Sequence, residues 1–176
     1  VFKTDQGGSL VWKKDFTLPG VQVWVDAVRL TEGGEYLLEG HHKHDAANPY
    51  KDYFLISLAQ DGTVLWKQVT GYSNNYWTYW YRASSSGGYA GAGTGYAEAN
   101  GSVDVLFRKI DINGTVQMQK SIGTKDKTEW ALDTVHTSDG GYMIAGCDLV
   151  GNFGGGGEQD LMFMKLDKNG ALAWQH

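Results

Sequence analysis

Apolar and polar positions in this chain form short runs of strand length, cut by glycine turns, and the same order of runs returns along the sequence. GGEYLLEG ends at Gly40, GGYAGAG at Gly93 and DGGYMIAG at Gly146, so the interval is 53 residues both times. A second mark keeps the beat: Gly8, Gly62, Gly114 and Gly170 stand four residues before Trp12, Trp66, Met118 and Trp174. Self-similarity at a fixed period of this length marks a repeat architecture.

The third copy shows what one repeat contains. ALDTVHTS alternates, which predicts a strand with Leu132, Thr134 and His136 on one face and Asp133, Val135 and Thr137 on the other. Asp139-Gly-Gly141 predicts a hairpin turn, since adjacent glycines reach positive φ without a Cβ penalty. YMIAG is a second, apolar strand, and residues 147–159 read as a looser segment. DLMFMKLD is the third strand, Lys168-Asn-Gly170 turns the chain, and ALAW is the fourth. The other third strands, DYFLISLA and DVLFRKID, likewise open on an aspartate, so that Asp52, Asp104 and Asp160 correspond. Asp26 and Asp133 read as a corresponding pair on the first strands, and His136 falls where the first copy has Arg29 and the second Ala83.

The two middle strands are apolar on both faces, which implies burial on both sides. A four-stranded sheet held between like sheets is a propeller blade. The prediction is an all-β β-propeller of four-stranded antiparallel blades about 53 residues long, three complete and one half. Residues 1–16 supply the third and fourth strands of the half blade, followed by blades at 17–69, 70–122 and 123–176, all within one propeller domain or a fragment of one. A β-solenoid is the alternative, but its strands do not pair by tight sequential hairpins.

DGGYMIAG, DLMFMKLDKNGALAW and the partial opening VFKTDQGGSLVW resemble the DGGY-(I/L)-x-G … D-x-(Y/F)-L-x-K-x-D-x-x-G-x-x-x-W repeats of secreted and surface β-propellers from bacteria and archaea. The resemblance spans the whole chain. More distantly the pattern is similar to quinoprotein-like propeller repeats, whose turn before the glycine is one residue longer. The resemblance implies that Trp12, Trp66 and Trp174 dock between blades, with Met118 as a departure whose flexible thioether fills a similar gap. It implies a fold and leaves the activity open.

Composition narrows the classes. The chain has 176 residues, 41% of them hydrophobic and 20% charged, with 25 glycines and only two prolines, a globular composition rather than a linker. Net charge is −5 with scattered Lys and Arg, so no basic stripe for nucleic acid is present. No apolar run approaches the roughly 20 residues of a membrane helix. Cys147 is the single cysteine, which excludes an internal disulfide. The chain opens on Val1, as a mature product or an excerpt of a longer protein would, and it carries sequons at Asn100 and Asn113. Together with the resemblance these point to an extracellular, cell-surface or periplasmic location.

Loop lengths separate two ends of the predicted sheets. The first-to-second and third-to-fourth connections are tight glycine turns, whereas residues 41–51, 94–103 and 147–159 are long, as are 67–76 and 119–129 between repeats. In an up-and-down blade the long sets emerge at one end, where binding residues concentrate on a rigid scaffold.

Near that end, Tyr76, Trp77, Tyr79, Trp80 and Tyr81, followed by Arg82, are peculiar to the second copy. They make either a platform for sugar rings or a partner protein, or a filling opposite the small residues Ala90, Gly91 and Ala92. His42 and His44 with Asp45 are candidate metal ligands, against the alternative of solvated loop histidines. Gly154–Gly157 lacks the Lys and Ser/Thr of a phosphate loop and reads as a surface loop. The repeated aspartates are scaffolding, or a calcium-binding ring of carboxylates; no other cofactor is indicated.

No G-x-S-x-G elbow, Cys–His pairing or sialidase Asp-box occurs. The expected function is therefore a non-enzymatic binding or assembly module for protein or glycan. Its partners are the remainder of a propeller or neighbouring chains at both open ends. The alternative is a glycan-active hydrolase or lyase whose site is completed by blades outside this chain.

Overall fold

A computed structural model describes residues 1–17, 22–43, 51–70, 78–84, 87–97, 102–125, 127–150 and 159–176. All regular structure among them is β-strand, as the alternating and apolar runs predict. The chain forms two compact units, Val1–Tyr72 and Ser73–His176.

The first unit begins with a hairpin of β1 (Phe2–Thr4) and β2 (Leu10–Lys13). An antiparallel meander follows in chain order: β3 (Gln22–Leu30), β4 (Tyr36–Lys43), β5 (Lys51–Leu58) and β6 (Val64–Thr70). Leu38, Phe54, Ile56 and Leu58 form the buried core of one sheet face, and Val1, Trp12 and Phe16 pack onto it. The hairpin thus covers part of that face.

The second unit holds two meanders. One is β7 (Thr78–Ser84), β8 (Gly88–Ala97), β9 (Ser102–Asp111) and β10 (Val116–Ile122). The other is β11 (Lys127–His136), β12 (Tyr142–Val150), β13 (Gln159–Leu166) and β14 (Leu172–Gln175). A parallel step, Thr128 on Val103, joins β11 to β9. Ala90, Ala92, Val105 and Phe107 from one meander and Tyr142, Ile144, Met162, Met164 and Leu166 from the other make a common buried core. Burying that apolar surface is the main favourable term holding the two meanders together.

The hairpin turns explain the D-x-N-G spacing. Asp167 Oδ1 accepts hydrogen bonds from the backbone N–H of Asn169 and Ala171, both at 2.8 Å, and Asp111 Oδ1 does the same for Asn113 and Thr115 at 2.9 and 2.8 Å. These bonds supply acceptors for turn amides the ladder leaves unpaired.

Two of the three glycines that set the 53-residue beat have another cause. Gly40 and Gly146 lie mid-strand, opposite a β-bulge on the neighbouring first strand. A Cβ on Gly40 would stand 2.2 Å from the Trp24 carbonyl oxygen, and one on Gly146 would stand 1.8 Å from that of Trp130. The bulge pushes a backbone carbonyl into the space a side chain would take.

The strand pairing, which keeps the 53-residue period across both bulges, also corrects the residue correspondences read from the sequence. Val25 pairs with Gly40 and Ala27 with Glu39, while Ala131 pairs with Gly146 and Asp133 with Ala145. Asp26 therefore corresponds to Leu132, not to Asp133, and His136 corresponds to Leu30, not to Arg29. The bulge breaks the alternation predicted for β11 as well: Leu132 is 60% exposed and Thr134 1%.

Several strands run beyond their apolar blocks. β4 extends to Lys43 and β12 to Val150, and β11 starts at Lys127. The connection expected at 119–129 shrinks to residues 123–126. Backbone pairing does not need apolar side chains, so polar tails such as Lys127-Thr128-Glu129 continue the ladder.

Candidate functional site

The strand ends away from the tight turns carry one polar constellation in each unit. In the first, Trp24, His41 and Tyr53 form a cross-strand row. The His41 ring stacks on Trp24 with centroids 5.0 Å apart, and Tyr53 lies 6.1 Å from His41 on the other side. The bulge at Asp26 brings its Oδ2 to 2.7 Å from His41 Nδ1. A carboxylate against Nδ1 favours the tautomer with its proton there, which leaves Nε2 able to accept a hydrogen bond or a proton.

By strand register, Cys147 takes the place of His41 in the third meander, Trp130 that of Trp24 and Leu132 that of Asp26. The acid–imidazole pair is thus not a requirement of the fold. Burial, with a contribution from Asp148, pushes the Cys147 thiol above its usual range, which makes it a poor nucleophile near neutral pH.

The second constellation surrounds Glu129, which is fully buried. Its Oε1 accepts from the Thr124 backbone N–H at 2.9 Å and from Thr124 Oγ1 at 2.7 Å. Burial raises the Glu129 carboxyl above its ordinary range; the Thr124 bonds oppose this and the charges of Asp104 and Asp148 add to it. Lys127 Nζ lies 2.6 Å from Asp148 Oδ2, a hydrogen bond that raises the lysine. Asp104 accepts from Ser102 Oγ at 2.5 Å and from Ser121 Oγ at 3.1 Å, and a Cβ on Gly123 would stand 2.6 Å from Asp104 Oδ1. These groups fasten the connection between β10 and β11, which is scaffold chemistry.

The candidates from sequence divide as follows. Tyr79, Trp80, Tyr81 and Arg82 lie on β7, and their backbone partners on β8 are Gly93, Ala92, Gly91 and Ala90. Tyr76 and Trp77 lie outside the described residues. His42 is buried on β4, and His44 and Asp45 lie outside the described residues. Among the described residues no three His, Cys, Asp or Glu side chains are grouped to hold a metal. Asp160 is exposed, unlike its counterpart Asp104, and nothing is described of the Asp52 side chain.

Of the four residues expected to dock, Trp12 and Met118 each lie on the turn glycine of the next meander in their own unit. Trp12 Nε1 donates to the Gln60 carbonyl at 2.9 Å, and a Cβ on Gly62 would be 3.1 Å from Trp12 Cδ2. Met118 lies on Gly170 in the same way, its sulfur 2.7 Å from where a Cβ would stand. Both turn glycines have φ in the left-handed region, +82° and +68°. Trp66 is half-buried, whereas Trp174 is exposed.

Sequence reasoning missed Asp26 with His41 because the pairing depends on a bulge. No protein-family model matches the chain, and no curated protein is similar enough in sequence to serve as a relative.

Proposed function

We propose that this chain is a β-propeller-type module, of an extracellular, surface or periplasmic protein, that binds a protein or glycan partner at the strand ends carrying the long connections. The observation that carries this reading is serial docking. Trp12 on Gly62 and Met118 on Gly170 place a fourth-strand side chain on the turn of the following meander, which is how like sheets are held in series. Scaffold roles occupy the repeated carboxylates, as with Asp104, Asp111 and Asp167, so the variable end residues are left for recognition.

A glycan array, with calorimetry on any hit and with and without calcium, tests the reading. Binding without turnover, weakened at least tenfold by Tyr79→Ala or Trp80→Ala, supports it. Chemical breakdown of a bound glycan overturns it.

The second reading, a glycan-active hydrolase or lyase, is favoured by the Asp26–His41 pair, in which a carboxylate orients an imidazole beside an exposed tryptophan. Turnover that is lost in His41→Ala and kept in Tyr79→Ala supports this reading instead.

A further inference from the structure

Of the four third-to-fourth-strand turn glycines, Gly62, Gly114 and Gly170 are buried and Gly8 is exposed. All four have positive φ, between +68° and +83°. A Cβ on Gly8 would meet nothing within 4 Å, while one on Gly62 or Gly170 would meet Trp12 or Met118. Among the docking residues the asymmetry is reversed. Trp12, Trp66 and Met118 are half-buried, and Trp174 is 40% exposed. Among the described residues, one end thus carries a docking side chain without a turn beneath it, and the other carries a turn without a side chain on it.

The surrounding faces match this. Strand register makes Leu161 the counterpart of Val105 and Phe163 the counterpart of Phe107. Val105 and Phe107 are covered by the β11–β14 meander and have no exposure, whereas Leu161 is 79% exposed and Phe163 44%. At the first hairpin, Phe2 corresponds to Met164, because Lys3 pairs with Trp12 as Lys165 pairs with Trp174. Met164 is fully buried in the core it shares with Phe107, and Phe2 is 66% exposed. Each exposed residue has a counterpart that is buried in a contact of the complementary kind.

We propose that the chain associates head to tail with a second copy of itself, the Trp174 indole of one copy lying on Gly8 of the next. In this contact Phe163 and Leu161 receive Phe2 as Phe107 and Val105 receive Met164. Trp174 Nε1 donates to the Gln6 carbonyl, since Gln6 stands two residues before Gly8 as Gln60 stands before Gly62. His176 takes the place of Lys14 and Lys120, each two residues past a docking residue, and it faces Asp5 of the neighbour as Lys120 faces the turn of Asp167. The contact is heterologous, because the surfaces that meet differ, so it builds rings or filaments rather than a two-fold dimer. The proposal rests on the serial-docking reading above and adds the partner.

Light scattering coupled to size-exclusion, over a hundredfold range of concentration, tests it with two variants. Trp174→Glu blocks the tail and Phe2→Glu blocks the head; both sites are exposed, and circular dichroism checks that each variant folds. The wild type is expected to form species at integer multiples of the chain mass that grow with concentration. Each variant alone is expected to remain monomeric, with association weakened at least tenfold. Mixed together, the two variants retain one good head and one good tail and are expected to form a 1:1 pair that grows no further. A wild type that is monomeric at all concentrations overturns the proposal, as do variants that still assemble or a mixture that does not pair. Glycan binding measured on Trp174→Glu separates the outcomes: its loss bears on the binding reading, and its retention in a monomer leaves that reading standing whatever the assembly does.

Discussion

The carbonyl oxygen of Trp130 occupies the space that a side chain on Gly146 would need, 1.8 Å from the ideal Cβ position. The neighbour is backbone, held by a bulge between Ala131 and Asp133, and it cannot swing aside as a side chain would. Gly146→Ala is therefore expected to break the local ladder between β11 and β12 and to destabilise the second unit by about 3 kcal/mol or more. Gly140→Ala, where a Cβ would come no nearer than 3.8 Å to Lys168, bears only the strain of its positive φ and is expected to cost about 1 kcal/mol. Urea denaturation of the two variants checks the ranking, and equal losses contradict the bulge account.

Trp12 and Trp174 share a sequence position and differ in surroundings. Trp12 packs onto the core of Leu38, Phe54, Ile56 and Leu58 and bonds to Gln60, so Trp12→Ala is expected to remove about 2–4 kcal/mol from the first unit. Trp174 has no such cover, and Trp174→Ala is expected to cost the isolated chain less than about 1 kcal/mol. Denaturation at dilutions where the chain is monomeric makes the comparison.

How much of this was legible follows from what each signal depends on. The strand order and the turns at Asp139-Gly140-Gly141 and Lys168-Asn169-Gly170 depend on residues close in sequence, and they could be read from it. The apolar third strands DYFLISLA, DVLFRKID and DLMFMKLD named much of the core. The bulges could not be read, because one extra residue leaves composition and spacing unchanged and shifts register only where two strands meet. Two periods of 53 residues place Leu132, not Asp133, at the position of Asp26, so that correspondence was open to reading. The contact of Asp26 with His41 was not, since it depends on the bulge, and His42 lies buried on the opposite side of the strand.

Carboxylates of opposite tendency give stability two pH windows. Asp139 is held well below its ordinary 3.8 by hydrogen bonds from Thr137, Lys165 and the Gly141 amide; the amides of Thr63 and Ala171 lower Asp61 and Asp167. A depressed folded pKa stabilises above the unfolded value, so these contributions are present above pH 3.8 and are lost as pH falls below it. Glu129 has the opposite sign: burial raises it, so its contribution is full below the ordinary 4.5 and is lost as pH rises through the raised value. Glu129→Gln keeps an oxygen for Thr124 and removes the buried charge. It is expected to be more stable than the wild type at pH 7 and equal to it at pH 4, in urea melts at both values. A variant less stable at pH 7 means that the ionised carboxylate is itself stabilising.

His41 offers a direct test of the first-unit constellation. Its Nδ1 lies 2.7 Å from Asp26 Oδ2, and the ring is pinned between Trp24 and Tyr53, so the neutral imidazole is expected to carry its proton on Nδ1. Most free histidines prefer the proton on Nε2, and long-range nitrogen–proton NMR correlations separate the two forms. Asp26→Ala removes the acceptor and is expected to return His41 to the Nε2 form without changing the fold, since Asp26 is the extra residue of a bulge and Leu132 holds the same place in the third meander. An unchanged tautomer in Asp26→Ala would mean that stacking alone orients the ring, and the carboxylate would then have no part in any proton transfer at Nε2.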